Sequence, residues 1–227
     1  MRLKRLVLAA LCFVTSLVVI AAAEAPARES IEWCDIWISH ANETNLPRVL
    51  LIGDSITRDY HGEVEKRLAG KAFVARLATS RFVGDPVFHR EIELVLKQER
   101  FDVVHFNNGM HGWQHNEDAY RKAFPKLIKT IRKHAPKAKL IWATTTPLRT
   151  GKDVTWDTKV AYSDERIDAR NAIAAEIVTG QKIPTADLNA TVRGRPELHS
   201  DNVHFSGQGS QALAEEVCAA VEKLLPR

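Results

Sequence analysis

Apolar positions along this chain recur in two alternating periods. Val49–Ile52 is short and wholly apolar, as expected of a central parallel strand covered on both faces. Ile56–Leu68 follows with a helix-like pattern. Ala72–Leu77 predicts a second strand, and Phe88, Ile92, Val95 and Leu96 then fall at helical spacing. Val103–Phe106 predicts a third strand. Tyr120, Phe124, Leu127, Ile128 and Ile131 form the next helical stripe, in which Pro125 should kink the helix or delay its start. Lys139–Thr144 predicts a strand, Glu165–Thr179 a helix with Ile173 and Ile177 on one side, and Thr185–Leu188 a short last strand. Leu213, Val217, Val221 and Leu224 mark a closing helix, for which Ser206 is the expected N-cap. Strands alternating with helices predict an α/β fold with a mainly parallel sheet of about five strands, covered on both faces. In such open sheets ligands sit beyond the carboxyl ends of the strands.

The first residues follow another pattern. Arg2, Lys4 and Arg5 precede an apolar stretch from Leu6 to Ile20, and Ala21-Ala22-Ala23 offers small residues for cleavage. Residues 1–23 therefore read as a signal peptide, residues 24–47 as a polar lead-in, and residues 48–227 as one domain with a substantial core. The alternative, an uncleaved anchor, is disfavoured because the apolar run falls short of the roughly 20 residues that span a bilayer. The expected location is secreted or periplasmic, without stable membrane insertion after cleavage. The leader holds three of the 32 basic residues and none of the 28 acidic ones, which leaves 29 against 28 and a net charge of +1. Such a balance gives no reason to invoke nucleic acid as a partner. Cys34 and Cys218 remain after cleavage, and in an oxidising compartment either a disulfide or two free thiols is open.

Three residue types then point to chemistry. Ser55 lies in Gly53-Asp54-Ser55-Ile56, between an apolar strand and a helix, where unpaired backbone N–H groups face outward. Asp201 and His204 lie in Asp201-Asn202-Val203-His204, a spacing that lets a carboxylate fix one nitrogen of an imidazole and leaves the other for a serine. Serine, histidine and carboxylate suffice for acyl transfer without a metal or cofactor. Helix capping is the competing role for Ser55. No His or Cys cluster has metal-ligand spacing.

The two blocks resemble those of the SGNH, or GDSL, hydrolases, and the resemblance runs from about Arg48 to Leu224. It implies a flavodoxin-like three-layer α/β/α sandwich and an ester hydrolase, with Ser55 the nucleophile, His204 the base and Asp201 its orienting acid. The expected substrate is a small-molecule or glycan ester, a carbohydrate O-acetyl ester being preferred. An O-acyltransferase to a glycan and a non-catalytic carbohydrate-binding protein are the alternatives. The middle blocks depart from the family pattern. Phe106-Asn107-Asn108-Gly109-Met110-His111-Gly112 stands where most members have Gly-x-Asn-Asp, and an ungapped match puts His111 at the family asparagine. A comparison with polysaccharide O-acetyl enzymes of the superfamily points to Asn107 instead. The expected oxyanion hole is therefore the Ser55 N–H, the Gly84 N–H and the Asn107 side chain, with Asn108 the runner-up and His111 a further donor or substrate contact. Trp113, Trp156 and Tyr162 are candidate aromatic residues of the loops at the active edge, and Trp33 and Trp37 are expected to pack on the domain.

Overall fold

The computed structural model describes residues 27–150 and 162–226. The leader and Trp156 lie outside the described residues. Six strands and six helices follow in the order β1 (Cys34–Ile38), β2 (Arg48–Gly53), α1 (Ser55–Arg67), β3 (Phe73–Thr79), α2 (Pro86–Gln98), β4 (Val103–Phe106), α3 (Glu117–His134), β5 (Lys139–Ala143), α4 (Asp164–Gly180), β6 (Thr185–Ala186), α5 (Leu188–Val192) and α6 (Gly207–Glu222). The strand order is β1-β3-β2-β4-β5-β6. All neighbours are parallel except β1, which runs antiparallel to β3 with Ile36 opposite Leu77.

Five of the six strands match the predicted runs to within a residue or two. The sixth, β1, lies inside the polar lead-in, which therefore forms one edge of the sheet rather than a detached segment. Its side chains are half-buried or exposed, so it carries no apolar run to announce itself.

Burial follows from position. In β2, Val49, Leu50, Leu51 and Ile52 are all fully buried. Alternate side chains enter opposite layers: Val49 and Leu51 meet α1 and α6, whereas Leu50 and Ile52 meet α2 and α3. Each such side chain contributes about 1.5–3 kcal/mol relative to exposure. Helix α3 starts at Glu117, capped by Asn116, well before Pro125. The proline thus sits inside the helix, and the carbonyl one turn back loses its usual donor. Ser206 caps α6 as expected, accepting from the Gly209 N–H at 3.2 Å. Cys34 is exposed, Cys218 is buried, and both are free thiols. Among the described residues no helix is long and apolar enough to cross a membrane.

Strand β2 lies between β3 and β4, so the chain first steps to one side of it and later to the other. That reversal opens a crevice at the carboxyl ends of β2 and β4. Gly53 lets α1 begin directly there, because a Cβ at this position would come within 2.0 Å of Thr57 Oγ1.

His105 is the one titratable group at the centre of the sheet, fully buried in β4 between Leu51 and Ile141 of the flanking strands. Neither ring nitrogen has a partner among the described residues. Burial pushes its pKa down from 6.5 to about 4. The unfolded chain therefore takes up this proton first as pH falls. Stability is complete above the unfolded value and declines towards pH 4, by about 3 kcal/mol over the window. Urea midpoints measured from pH 7 to pH 4 should fall less steeply for His105→Leu than for the parent. Equal slopes would show that His105 does not contribute.

Candidate active site

Residue Ser55 opens α1 at the end of β2. The cap is Asp54, whose carboxylate accepts from the Ile56 N–H at 3.0 Å. Capping is thus done by the aspartate, and the Ser55 hydroxyl is left for another partner. As the first helical residue, Ser55 also carries one of the orphan N–H groups of the helix start.

The partner comes from the far end of the chain. Residues 199–205 form a tight loop closed by an antiparallel bridge between His199 and Phe205. Val203 and Phe205 anchor it in the core formed with α1 and α6. Asp201 shapes the loop from within, since its Oδ1 accepts from the Val203 and His204 N–H groups, both at 2.7 Å. Its Oδ2 lies 2.8 Å from His204 Nδ1. His204 Nε2 in turn lies 2.9 Å from Ser55 Oγ. With Nδ1–H donating to Asp201, Nε2 accepts from the Ser55 hydroxyl. The structure therefore brings together Ser55, His204 and Asp201. Burial pushes the Asp201 pKa up, but the two amides and the imidazole outweigh it and hold the carboxyl below its usual range. Asp201 is ionised at neutral pH, as an orienting carboxylate requires. A serine so placed is deprotonated as it attacks an electrophile.

Ser55 and His204 face a cavity of about 410 Å³. Trp33, Ile31, Met110 and Tyr162 give it apolar walls, and Arg58, Glu29 and His111 give it polar ones. The volume falls in the range of small-molecule sites. Arg58 lies over the Trp33 ring at 5.1 Å.

Two expectations for the oxyanion hole are revised. Asn107 spends both amide protons within the fold, on the Ala143 carbonyl at 2.7 Å and Thr145 Oγ1 at 3.1 Å. It borders a separate small recess behind Asp54 and Thr57. The Asn107 N–H still pairs with the Ile52 carbonyl at 2.9 Å, while its side chain reaches across to the end of β5. Gly84 is not at the cavity either. It belongs to the turn between Phe82 and Asp85 that leads into α2, against Phe82 and Ala123. Asn108 also turns away, donating to the Arg81 carbonyl at 2.9 Å. Of the four side-chain and glycine candidates, only His111 borders the cavity.

Trp113 differs from expectation too. It is buried beneath Arg170 at 4.4 Å and Arg166 at 4.9 Å, whereas Tyr162 does line the cavity and Trp33, expected only to pack on the domain, lines it too. Arg81 is engaged in ion pairs, with Glu91 at 2.8 Å and Asp85 at 3.5 Å.

The sequence reading did not single out Glu29 and Arg170. Glu29 holds His111 Nδ1 and the Gly112 N–H. Arg170 binds the carbonyls of the loop carrying His111. One signal for Arg170 was available. It stands in register with Ile167, Ile173 and Ala174, where the helical period calls for an apolar residue.

The sequence profile of the GDSL-like lipase/acylhydrolase family matches residues 51–212. The chain belongs to that family. This GDSL-like hydrolase is accordingly an enzyme of ester bonds. Its fold is shared with a GDSL-like lipase of Bacteroides thetaiotaomicron at 18% identity and TM-score 0.61, over 78% of this chain and 88% of that one. An aryl esterase of M. smegmatis is similar at 15% identity and TM-score 0.66, covering 79% and 100% of the two chains. A carbohydrate acetylesterase of Sinorhizobium meliloti is similar at 14% identity and TM-score 0.64, covering 78% and 99%. No curated protein matches this GDSL-like hydrolase in sequence.

Proposed function

We propose that this chain is an exported serine esterase that removes acetyl groups from carbohydrate O-acetyl esters. The observation that carries the reading is the continuous link from Ser55 Oγ to His204 Nε2 at 2.9 Å and from His204 Nδ1 to Asp201 at 2.8 Å. Ser55 attacks the ester carbonyl while His204 takes its proton, and Asp201 stabilises the imidazolium. The alcohol leaves with that proton. Water, deprotonated by His204, then releases the acyl group. The Ser55 N–H, at the start of α1, is the backbone donor to the oxyanion.

The cavity supports a sugar as the alcohol part. Trp33 and Tyr162 offer aromatic surface beside the polar Ser30, Arg58 and His111, a mixture suited to a ring with an apolar face and a hydroxylated edge. A long acyl chain would favour a continuous apolar channel. The carbohydrate acetylesterase and the carbohydrate esterase family 3 protein among the structural relatives are in keeping with this choice. Export rests on the basic start, apolar stretch and small residues of positions 1–23.

The test is release of acid from esters of graded acyl length on one alcohol, followed by acetylated sugars. Acetyl esters should be cleaved at least about tenfold faster than octanoyl esters, in line with the discrimination a shaped pocket achieves. Faster cleavage of long chains would reject the acetyl assignment, and no release from any ester would reject the esterase.

A further inference from the structure

The loss of Asn107 as a donor leaves the reacting oxygen short of a side-chain partner, and His111 on the cavity wall is a donor that the fold holds in place. His111 borders the same cavity as Ser55 and His204. Its Nδ1 lies 3.0 and 3.1 Å from the two oxygens of Glu29. Among the described residues nothing pairs with Nε2. The same carboxylate accepts from the Gly112 N–H at 3.0 Å, and Arg170 donates to the His111 carbonyl at 2.8 Å. Ring and backbone are thus fixed together, and the Trp33 ring lies edge-on to the imidazole with centroids 6.3 Å apart.

The protonation state decides what this histidine does. Facing Glu29, Nδ1 carries a proton. In a neutral ring Nε2 would then be a bare acceptor and would repel a developing oxyanion. In an imidazolium Nε2–H is a donor with a positive charge behind it. We infer that His111, kept as an imidazolium by Glu29, donates from Nε2 to the ester oxygen as negative charge develops there. This inference rests on the serine reading above.

The charges around the ring favour that state. Burial lowers the His111 pKa, but the hydrogen bond and charge of Glu29, with Asp54 and Glu32, raise it above its ordinary value. Arg58 and His204 line the same cavity, and Arg170 reaches His111 only through its carbonyl. In the reaction the Ser55 Oγ–carbon bond forms and the carbonyl pair moves onto oxygen. The serine proton goes to His204. His111 holds the oxygen by a hydrogen bond and transfers nothing. On collapse the bond to the alcohol breaks, and the alcohol takes the proton from His204. Glu29 is a positioning residue that fixes the ring and sustains its charge.

An alkaline limb follows, because kcat/KM falls as His111 loses its proton. Glu29→Gln should move that limb to lower pH, the direction expected when the facing carboxylate is lost, and Glu29→Asp should restore it. His111→Leu, which has no donor, should abolish the alkaline limb and lower kcat by about 10²-fold, the usual effect of losing one oxyanion donor, with KM little changed. An unmoved alkaline limb in Glu29→Gln, or a His111→Leu enzyme altered only in KM, overturns the inference. The unsubstituted protein gives an independent reading that needs no variant to fold. After reaction with a fluorophosphonate, the His111 ring should titrate at higher pH by NMR than in the free enzyme, because the phosphonyl oxygen now accepts from Nε2. A labelled protein with an unmoved His111 titration rejects this inference alone. Absence of an adduct at Ser55 rejects the serine reading, and this inference with it.

Discussion

Replacing Ser55 by Ala should reduce ester hydrolysis by about 10⁴–10⁶-fold, the range seen when a serine hydrolase loses its nucleophile, with the fold unchanged. The hydroxyl is not needed for helix capping, since Asp54 accepts from the Ile56 N–H and begins α1 without it. Its removal therefore strips His204 of a partner but leaves no helix end unsatisfied. Thermal midpoints of the variant and parent should agree to within a few degrees. Asp201→Asn should lose less, about 10²–10⁴-fold. Asp201 is about half exposed, and water partly replaces its support of the imidazole. Hydrolysis by Ser55→Ala within tenfold of the parent would remove Ser55 from the chemistry.

Replacing Arg170 by Leu should destabilise the protein by about 3–5 kcal/mol, the cost of emptying one side of a buried charged network. Arg170 is fully buried, and its guanidinium donates to the carbonyls of Gly109, His111, Gly112 and His115 at 2.8–3.0 Å. The Trp113 and Tyr120 rings lie 4.4 and 5.4 Å from it, and Glu117 is 3.6 Å from Nε. Burial lowers its pKa to about 10, which leaves it charged at neutral pH. Leucine matches the apolar surroundings but leaves the Gly109 and His111 carbonyls without donors, whereas Gly112 keeps the His115 N–H and His115 keeps Arg166; buried unpaired groups cost about 1–3 kcal/mol each. The same loop carries Met110 and His111 into the cavity. kcat/KM should therefore fall at least tenfold even at temperatures where the variant is folded. Arg170→Lys should be intermediate in stability, because an ammonium cannot span the same carbonyls. Urea unfolding decides the matter, and a loss below 1 kcal/mol would contradict it.

The parts of the molecule that were legible in the sequence are those that one local rule governs. The apolar run of β2, the 3.6-residue stripes of α2 and α3 and the Ser206 cap each state their own structure. Ser55, Asp201 and His204 were legible for a similar reason, since each sits in a short motif beside an element boundary. The lead-in was not. Its strand β1 is held by pairing to β3, and Trp33 and Glu29 reach the cavity only because that pairing carries the chain across the carboxyl end of the sheet. Pairing partners distant in sequence leave no periodic trace. The Asn107–His111 loop was misread because strand alternation says which face a side chain leaves from, not which acceptor captures it. Ala143 and Thr145 capture Asn107, and Glu29 captures His111.

The most direct measurement is the site of covalent labelling by a fluorophosphonate, read as intact mass and then mapped to a peptide. Ser55 beside His204 should take up a single phosphonyl group, and His204→Ala should react far more slowly. A full-length protein that hydrolyses esters yet remains unlabelled, or carries the label on another serine, would contradict the assignment of Ser55 as nucleophile.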